Sequence, residues 1–301
     1  MLARTLERIQ AARHELDIAT ECVVVDNGSS DNTRHVVEHA GQSCLGVRWV
    51  REARKGVARA RNAALRAARG RIIAFADDDV SPAKGWLSEL ILPILNGEAD
   101  AVAGAIRLAA HLMRPWMEPW HRAWLGETLS TNSERPVEMY GANMAIGRHV
   151  LERVPAFDPE LGVGALGHGE EALYSYQVRA AGLRIVRAEK AVVEHDADAE
   201  HLCRRSLLAD SVSRGRTLAY MHYHWGHAEV AHARKKAAVA ELRLIMARAA
   251  LWGLRRSADG LPQWEMQLVR HIAYLRQFAA EIRRPRNYDR HGLVKLRGVM
   301  P

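Results

Sequence analysis

Cysteine is scarce in this chain and odd in number: Cys22, Cys44 and Cys203 are scattered through 301 residues. Three thiols cannot all pair within one chain, so a fully paired disulfide framework is excluded. A reducing compartment is expected, with the cysteines as small buried or neutral residues. No run of about 18 uninterrupted apolar residues occurs, so no spanning helix is expected. Long Ser/Gly/Pro tracts and internal repeats are also missing, which argues against disorder. The opening MLARTLERIQ carries charges throughout and reads as an amphipathic helix rather than a secretory leader. No G-x-G-x-x-G follows any strand-like run, which disfavours a dehydrogenase. A sugar-activating nucleotidyltransferase would need a Gly-rich basic loop near the first strand, and none is there. The one histidine cluster, His222-x-His224-x-x-His227, has neither cysteines nor a carboxylate pair beside it, so a metal site or zinc-finger reader of nucleic acid is disfavoured.

What is present is a globular composition, 48% hydrophobic and 26% charged, enough for one large core with or without an appendage. The net charge of +8 is unevenly spread: residues 201–301 hold 19 Lys/Arg against 7 Asp/Glu, and residues 1–200 hold 24 against 28. A near-neutral front carries a basic back. Such a tail suits an anionic membrane surface, with nucleic acid the weaker alternative and a solvated set of Arg-rich helices the bland one. The expected location is cytoplasmic, peripheral at the inner face of the membrane.

Along the chain, apolar residues at helical spacing predict a helix over 2–15. ECVVVD (21–26) reads as a buried strand, followed by a polar turn and a helix to about Ala40. VRWV (47–50), a helix from Gly56 to Arg69, RIIAFA (71–76), a helix from Lys84 to Leu95 and a strand from Asp100 to Ile106 continue the alternation. That pattern predicts an α/β class with a largely parallel sheet covered on both faces. Trp116, Trp120 and Trp124 would line one face of a helix. NMAIG (143–147) reads as a strand, 155–169 as a mobile Gly-rich loop, Glu170 to Ala181 as a helix, and 183–188 and 192–196 as strands. Beyond Ala199 the period is helical, broken near Gly226, Gly260–Pro262 and Pro285. The expected domains are 1–199 and a basic helical region, 200–301.

Three aspartates, Asp77, Asp78 and Asp79, stop the strand RIIAFA. Side chains alternate along an extended chain, so Asp77 and Asp79 point one way and Asp78 the other. Adjacent carboxylates at the carboxyl end of a buried strand repel each other, and a hard divalent cation relieves this. The competing reading is an acidic turn capping the next helix. Asp26 is delivered in the same manner to the loop NGSSDNT, as a hydrogen-bond acceptor for a base or ribose or as part of an ordinary turn. Lys55, Arg59, Arg61 and Asn62 cluster at a helix start, a setting suited to phosphate or a base edge. Arg59 and Asn62 share a face, whereas Arg61 is expected to point elsewhere.

VVVDNGSSDNT, KGVARARN, FADDDV, GANMAI, GHGEEALYSYQVRAAGLRIV and AVVEHD occur in an order and spacing that resembles family 2 glycosyltransferases over roughly residues 1–197. The resemblance implies a GT-A fold, Rossmann-like and doubly wound, with a C-terminal helical extension. It implies donor contacts from Asp26, Lys55, Arg59, Asn62, Asp77 and Asp78, with Asp26 at the base and Asp77 at the ribose. It further implies Mn²⁺ or Mg²⁺ held by Asp79 and His195, Asn143 or its neighbouring backbone on the acceptor side, and Glu171 as catalytic base after Glu170. The family pair is usually Glu-Asp, so Glu171 is one methylene longer. The implied reaction is inverting transfer from a UDP-, GDP- or dTDP-sugar to a sugar or lipid-linked hydroxyl, as in polysaccharide or glycolipid synthesis. Family members usually begin with a strand that walls the base pocket, whereas here the chain starts at the following helix. An upstream start codon is therefore expected. The opposing reading is a decayed transferase-like scaffold docked through its basic tail.

Overall fold

The structure, a computed structural model, describes residues 1–43, 46–128, 136–251 and 260–296. Cys44 lies outside them, while Cys22 and Cys203 are half-buried thiols. The chain divides into two compact units, the first Met1–Pro159 with Glu170–Ala197, the second Glu160–Gly169 with Asp198–Pro301.

In the first unit the elements run α1 (Leu2–His14), β1 (Cys22–Asp26), α2 (Thr33–Ser43), β2 (Val47–Arg51), α3 (Val57–Ala67), β3 (Ile72–Phe75), β4 (Val80–Pro82), α4 (Trp86–Leu95), β5 (Ala101–Leu108), α5 (Pro119–Trp124), β6 (Met144–Gly147), α6 (Glu170–Ala180) and β7 (Ile185–His195). β1 and β2 pair in parallel as a two-stranded sheet, and the others form a five-stranded sheet in the order β3-β6-β5-β7-β4. β5 and β7 pair in parallel, while β6 runs antiparallel between β3 and β5 and β4 antiparallel along β7. β3, β5 and β7 therefore share one direction, the parallel frame of an α/β sheet with two reversed strands set into it.

Period-2 alternation decides which residues face which layer. Val102, Ile106, Ala145 and Val193 join Trp86, Leu90 and Ile91 of α4 in one core. Ala101, Ala103, Met144 and Ile146 join Ala58 and Leu65 of α3 and Tyr174 and Val178 of α6 in the other. Two strands expected from the sequence, 183–188 and 192–196, are one strand with a register shift opposite Gly104/Ala105. The three tryptophans do not share a helix face: α5 begins at Pro119, so Trp116 precedes it, and His121 stacks on Trp120 with Trp116 edge-on.

The second unit contains α7 (Arg204–Tyr220), a π-type turn at Met221–Trp225, α8 (Ala233–Ala250) and α9 (Gln263–Glu281). α7 meets α9 at Gly215, where a Cβ would lie 2.2 Å from the Arg270 carbonyl oxygen. Residues 160–169, the greater part of the 155–169 loop read from sequence as mobile, are fastened to these helices. Glu160 accepts from Arg284 (2.6 Å), Lys295 (2.7 Å) and Asn287 (2.9 Å). Thr217 donates to the His168 carbonyl (2.7 Å), and Asp210 pairs with the His168 ring and with Arg214. Gly169 (φ +94) packs where a Cβ would meet the Thr217 methyl at 2.3 Å. Composition reads such a segment as a loop; it cannot show that buried partners hold it. The three histidines of the cluster are committed separately: His222 to Tyr274, His227 to the Tyr288 carbonyl, and buried His224 to Glu281 at 3.0 Å.

Two outcomes follow from these buried charges. Glu281→Leu leaves the buried His224 Nε2 without its hydrogen-bond partner and should lower unfolding free energy by about 1–3 kcal/mol, read as a drop in urea midpoint. Burial works against the Asp210 carboxylate, but His168 and Arg214 more than offset it and bring its pKa down to about 2. A depressed carboxylate stabilises above its unfolded pKa and loses that contribution as pH falls through the folded one. The stability gap between the wild type and Asp210→Asn should therefore shrink as pH falls from about 4 to 2.

Candidate functional site

The site begins where β3 ends. Asp77 is half-buried, Asp78 exposed and Asp79 half-buried, following the alternation of an extended chain. Thr5 of α1 donates to the carbonyls of Asp78 (2.8 Å) and Val80 (3.0 Å), fixing the backbone of this turn. Asp79 turns its carboxylate to His195 at the end of β7, Oδ2 to Nε2 3.2 Å. The backbone adds a second tie, since Asp196 N donates to the Asp79 carbonyl at 2.8 Å.

Asp77 turns toward Arg61. Arg61 leaves the side taken by Asn62, as the spacing expects, but its side chain, 8% exposed, enters the acidic cluster, a role the sequence did not give it. Its guanidinium bonds Glu170 and lies 3.3 Å from Glu171 and 3.6 Å from Asp77. Glycine at position 141 makes room for it, since a Cβ there would fall 1.8 Å from Arg61 Nη2. Gly141 N also donates to Glu171 Oε1 at 3.2 Å. Neither role is legible locally, because helical spacing reports which side of α3 Arg61 occupies but not what α6 and β3 bring to that side.

One guanidinium facing three carboxylates leaves excess negative charge, and protons redistribute accordingly. Loss of hydration pushes Glu170 up, the Glu171 charge adds to this, and Arg61 opposes it only in part. Burial also works against ionisation of Glu171, but Arg61 and the Gly141 N–H outweigh it and hold the carboxylate below its ordinary pKa. Two carboxylates about 4 Å apart repel by roughly 4 kcal/mol at the effective dielectric of such sites, so one of a pair keeps its proton. Glu170, with its side chain 4% exposed, is the one pushed toward its protonated form, and Glu171, 20% exposed, the one held toward its ionised form. Desolvation also raises Asp77, Arg61 counters it, and the Asp79 and Glu171 charges raise it further. Burial lowers His195, but the Asp79 hydrogen bond and charge overcome this and raise it.

The other sequence candidates separate into two groups. Asp26 closes β1, where the Ser29 N–H (2.8 Å) leads in holding its carboxylate below the usual range. Asn27, which the sequence reading passed over, bolts this loop to the one bearing exposed Lys55. It accepts from Gly56 N (2.7 Å) and donates to the Glu52 and Arg54 carbonyls. Arg59 is half-buried on the first turn of α3. Asn62 and Asn143, by contrast, are spent on the scaffold. Asn62 exchanges two hydrogen bonds with the Phe157 backbone, 2.8 and 2.9 Å. Asn143 is wholly buried, donating to the Ala105 and Ala191 carbonyls and accepting from Trp86. It fills the β5–β7 register shift, where Gly104 leaves it space.

Among the described residues no group of three or more His, Cys, Asp or Glu is arranged around a metal position. The donor set nevertheless fits Mg²⁺ or Mn²⁺ bound jointly by protein and phosphate. Such ions take one or two carboxylates and complete their shell with phosphate oxygens and water, and neighbouring donors in an octahedral shell lie about 3 Å apart. The Asp79–His195 pair at 3.2 Å meets that spacing.

Removing the central cation gives a sharp outcome. Arg61→Met leaves Asp77, Glu170 and Glu171 without their counter-charge and should cost about 3–5 kcal/mol near pH 8. The deficit should shrink toward pH 5 as the carboxylates take up protons, which pH-resolved urea unfolding would read.

The family model of glycosyl transferase family 2 matches residues 1–154. A curated relative, Glycosyltransferase AglE of Haloferax volcanii, is 31% identical over 87 residues, which is 29% of this chain and 29% of the relative. Among solved structures, the mannosyltransferase PcManGT from Pyrobaculum calidifontis, in complex with GDP-Man and Mn²⁺, superposes with a TM-score of 0.59 at 19% identity, covering 93% of this chain and 84% of the other. Glucosyl-3-phosphoglycerate synthase from Mycobacterium tuberculosis, with Mn²⁺, UDP and phosphoglyceric acid, gives 0.50 at 22% identity over 74% of each chain. The fold is thus GT-A. With a family model spanning half the sequence, and the Asp77–Asp79 turn within the match, this chain belongs to glycosyl transferase family 2.

Proposed function

We propose that the protein transfers a glycosyl group, with inversion, from a nucleoside-diphosphate sugar to an acceptor hydroxyl. The observation that carries this reading is the Arg61 cluster, in which one buried guanidinium lies 3.6 Å from the Asp77 carboxylate and 3.3 Å from the partly exposed Glu171 carboxylate. Glu171 takes the acceptor proton as that oxygen attacks the anomeric carbon from the face opposite the leaving diphosphate. Glu170, protonated, keeps the local charge low enough for Glu171 to remain a base, and Arg61 holds both in register. Asp26 receives the base and Asp77 the ribose, with Lys55 and Arg59 at the mouth of the donor loops. Asp79 and His195 would hold Mn²⁺ or Mg²⁺, which when bound offsets charge on the departing diphosphate. The GDP-Man and UDP complexes of the structural neighbours support this class of donor. A sugar or lipid-linked acceptor in polysaccharide or glycolipid synthesis completes the proposal.

The test is thermal stability with Mn²⁺ and UDP, GDP or dTDP, beside an Asp79→Ala control. A nucleotide-selective rise that needs the metal and disappears in the variant supports the donor site; no rise with any of them favours a decayed scaffold. Glu171→Gln should lower turnover by about 10²–10⁴-fold while leaving nucleotide binding intact. Because imidazole must lose its proton to ligate, and Asp79 raises the His195 pKa, Mn²⁺ affinity should fall as pH drops from about 8 to 6. Titration calorimetry at stepped pH would read this.

A further inference from the structure

α8 is apolar on two faces. The one turned into the second unit carries buried Ala233, Ala237 and Ala240 with half-buried Leu244 in the same row, and Ala233 and Ala237 pack with Leu275, Phe278 and Ala279 of α9. Four further large apolar residues point outward: Val239 is 52% exposed, Leu242 58%, Ile245 63% and Met246 61%. At 3.6 residues per turn these four, with Ala238, Ala249 and Ala250, form one continuous stripe spanning about 140° of the helix. Arg234 borders the stripe on one side, Lys236 and Arg243 on the other, and Lys235 lies within it; all four are exposed. The single acidic residue of α8, Glu241, pairs with Arg276 at 2.6 Å and so offsets none of them.

We infer that this outer face of α8 is a docking surface for an anionic lipid bilayer. Apolar side chains of intermediate size rimmed by cations match the boundary between acyl chains and acidic headgroups, where the stripe enters the apolar layer and the rims meet phosphate. A second copy is the poorer occupant, because facing stripes would set one cationic rim against the other. The charge of the region agrees, 19 Lys/Arg against 7 Asp/Glu over residues 201–301. No helix among the described residues is long and apolar enough to cross a membrane, so the contact proposed is one of lying on the surface. This surface is separate from the transfer chemistry and stands or falls without it.

The test is sedimentation of the full chain with sucrose-loaded vesicles, either phosphatidylcholine alone or phosphatidylcholine with a third phosphatidylglycerol. Binding at least tenfold tighter to the anionic vesicles, weakening with salt, is expected. The double substitution Leu242→Ser/Ile245→Ser should reduce it at least tenfold with an unchanged melting temperature. Lys236→Glu/Arg243→Glu, which spares the stripe, should do the same by removing the charge. Equal binding to both vesicle types overturns the inference, as does undiminished binding by both variants. A chain that ignores vesicles and elutes as a dimer, which Leu242→Ser/Ile245→Ser converts to monomer, overturns it in favour of a second copy.

Discussion

The guanidinium of Arg61 is the interaction on which the site depends. It is buried on α3 and answers carboxylates from the end of β3 and from the start of α6, the latter 109 residues further along the chain. Planar and permanently charged, it can face several carboxylates at once, which a lysine ammonium on a flexible stem cannot do equally well. Without it, three acids drawn together by the sheet topology would repel one another or take up protons. With it, Glu171 is held below its ordinary pKa while its neighbour Glu170 is pushed above.

The scaffold around the site serves this placement through buried amides and glycines. Asn143 closes the register shift between β5 and β7, and Asn62 holds the Phe157 backbone near the end of the first unit's leading segment. Glycine appears where close approach demands it, at Gly104 for Asn143 and at Gly141 for Arg61. Each of these amides resembles a ligand-binding polar residue when read alone. Each satisfies backbone groups that the irregular strand or loop would otherwise leave unpaired, and so answers a structural need.

The helical unit follows a different rule. Its internal order rests on charge networks, with Glu160 answering Arg284, Asn287 and Lys295, and Glu265 answering Arg204 and Arg248. Much of the positive charge seen in the composition is therefore spent internally. On α8 four exposed cations, Arg234, Lys235, Lys236 and Arg243, stand beside exposed large apolar side chains.

By itself the sequence determined the alternation of strands and helices, the aspartates at the end of β3, the pairing of Glu170 with Glu171 at a helix start, and the helix breaks at Gly226, Gly260–Pro262 and Pro285. These are local matters, set by hydrophobic period, turn chemistry and the special backbones of Gly and Pro. Tertiary structure alone decided that Arg61 and not Asn62 turns into the acidic cluster, that Asn143 is a brace, that 160–169 is pinned to the C-terminal helices, and that Leu242 and Ile245 face outward. The reason is physical. A side chain's role depends on what distant segments bring within about 4 Å of it, and periodicity reports only the face on which it starts.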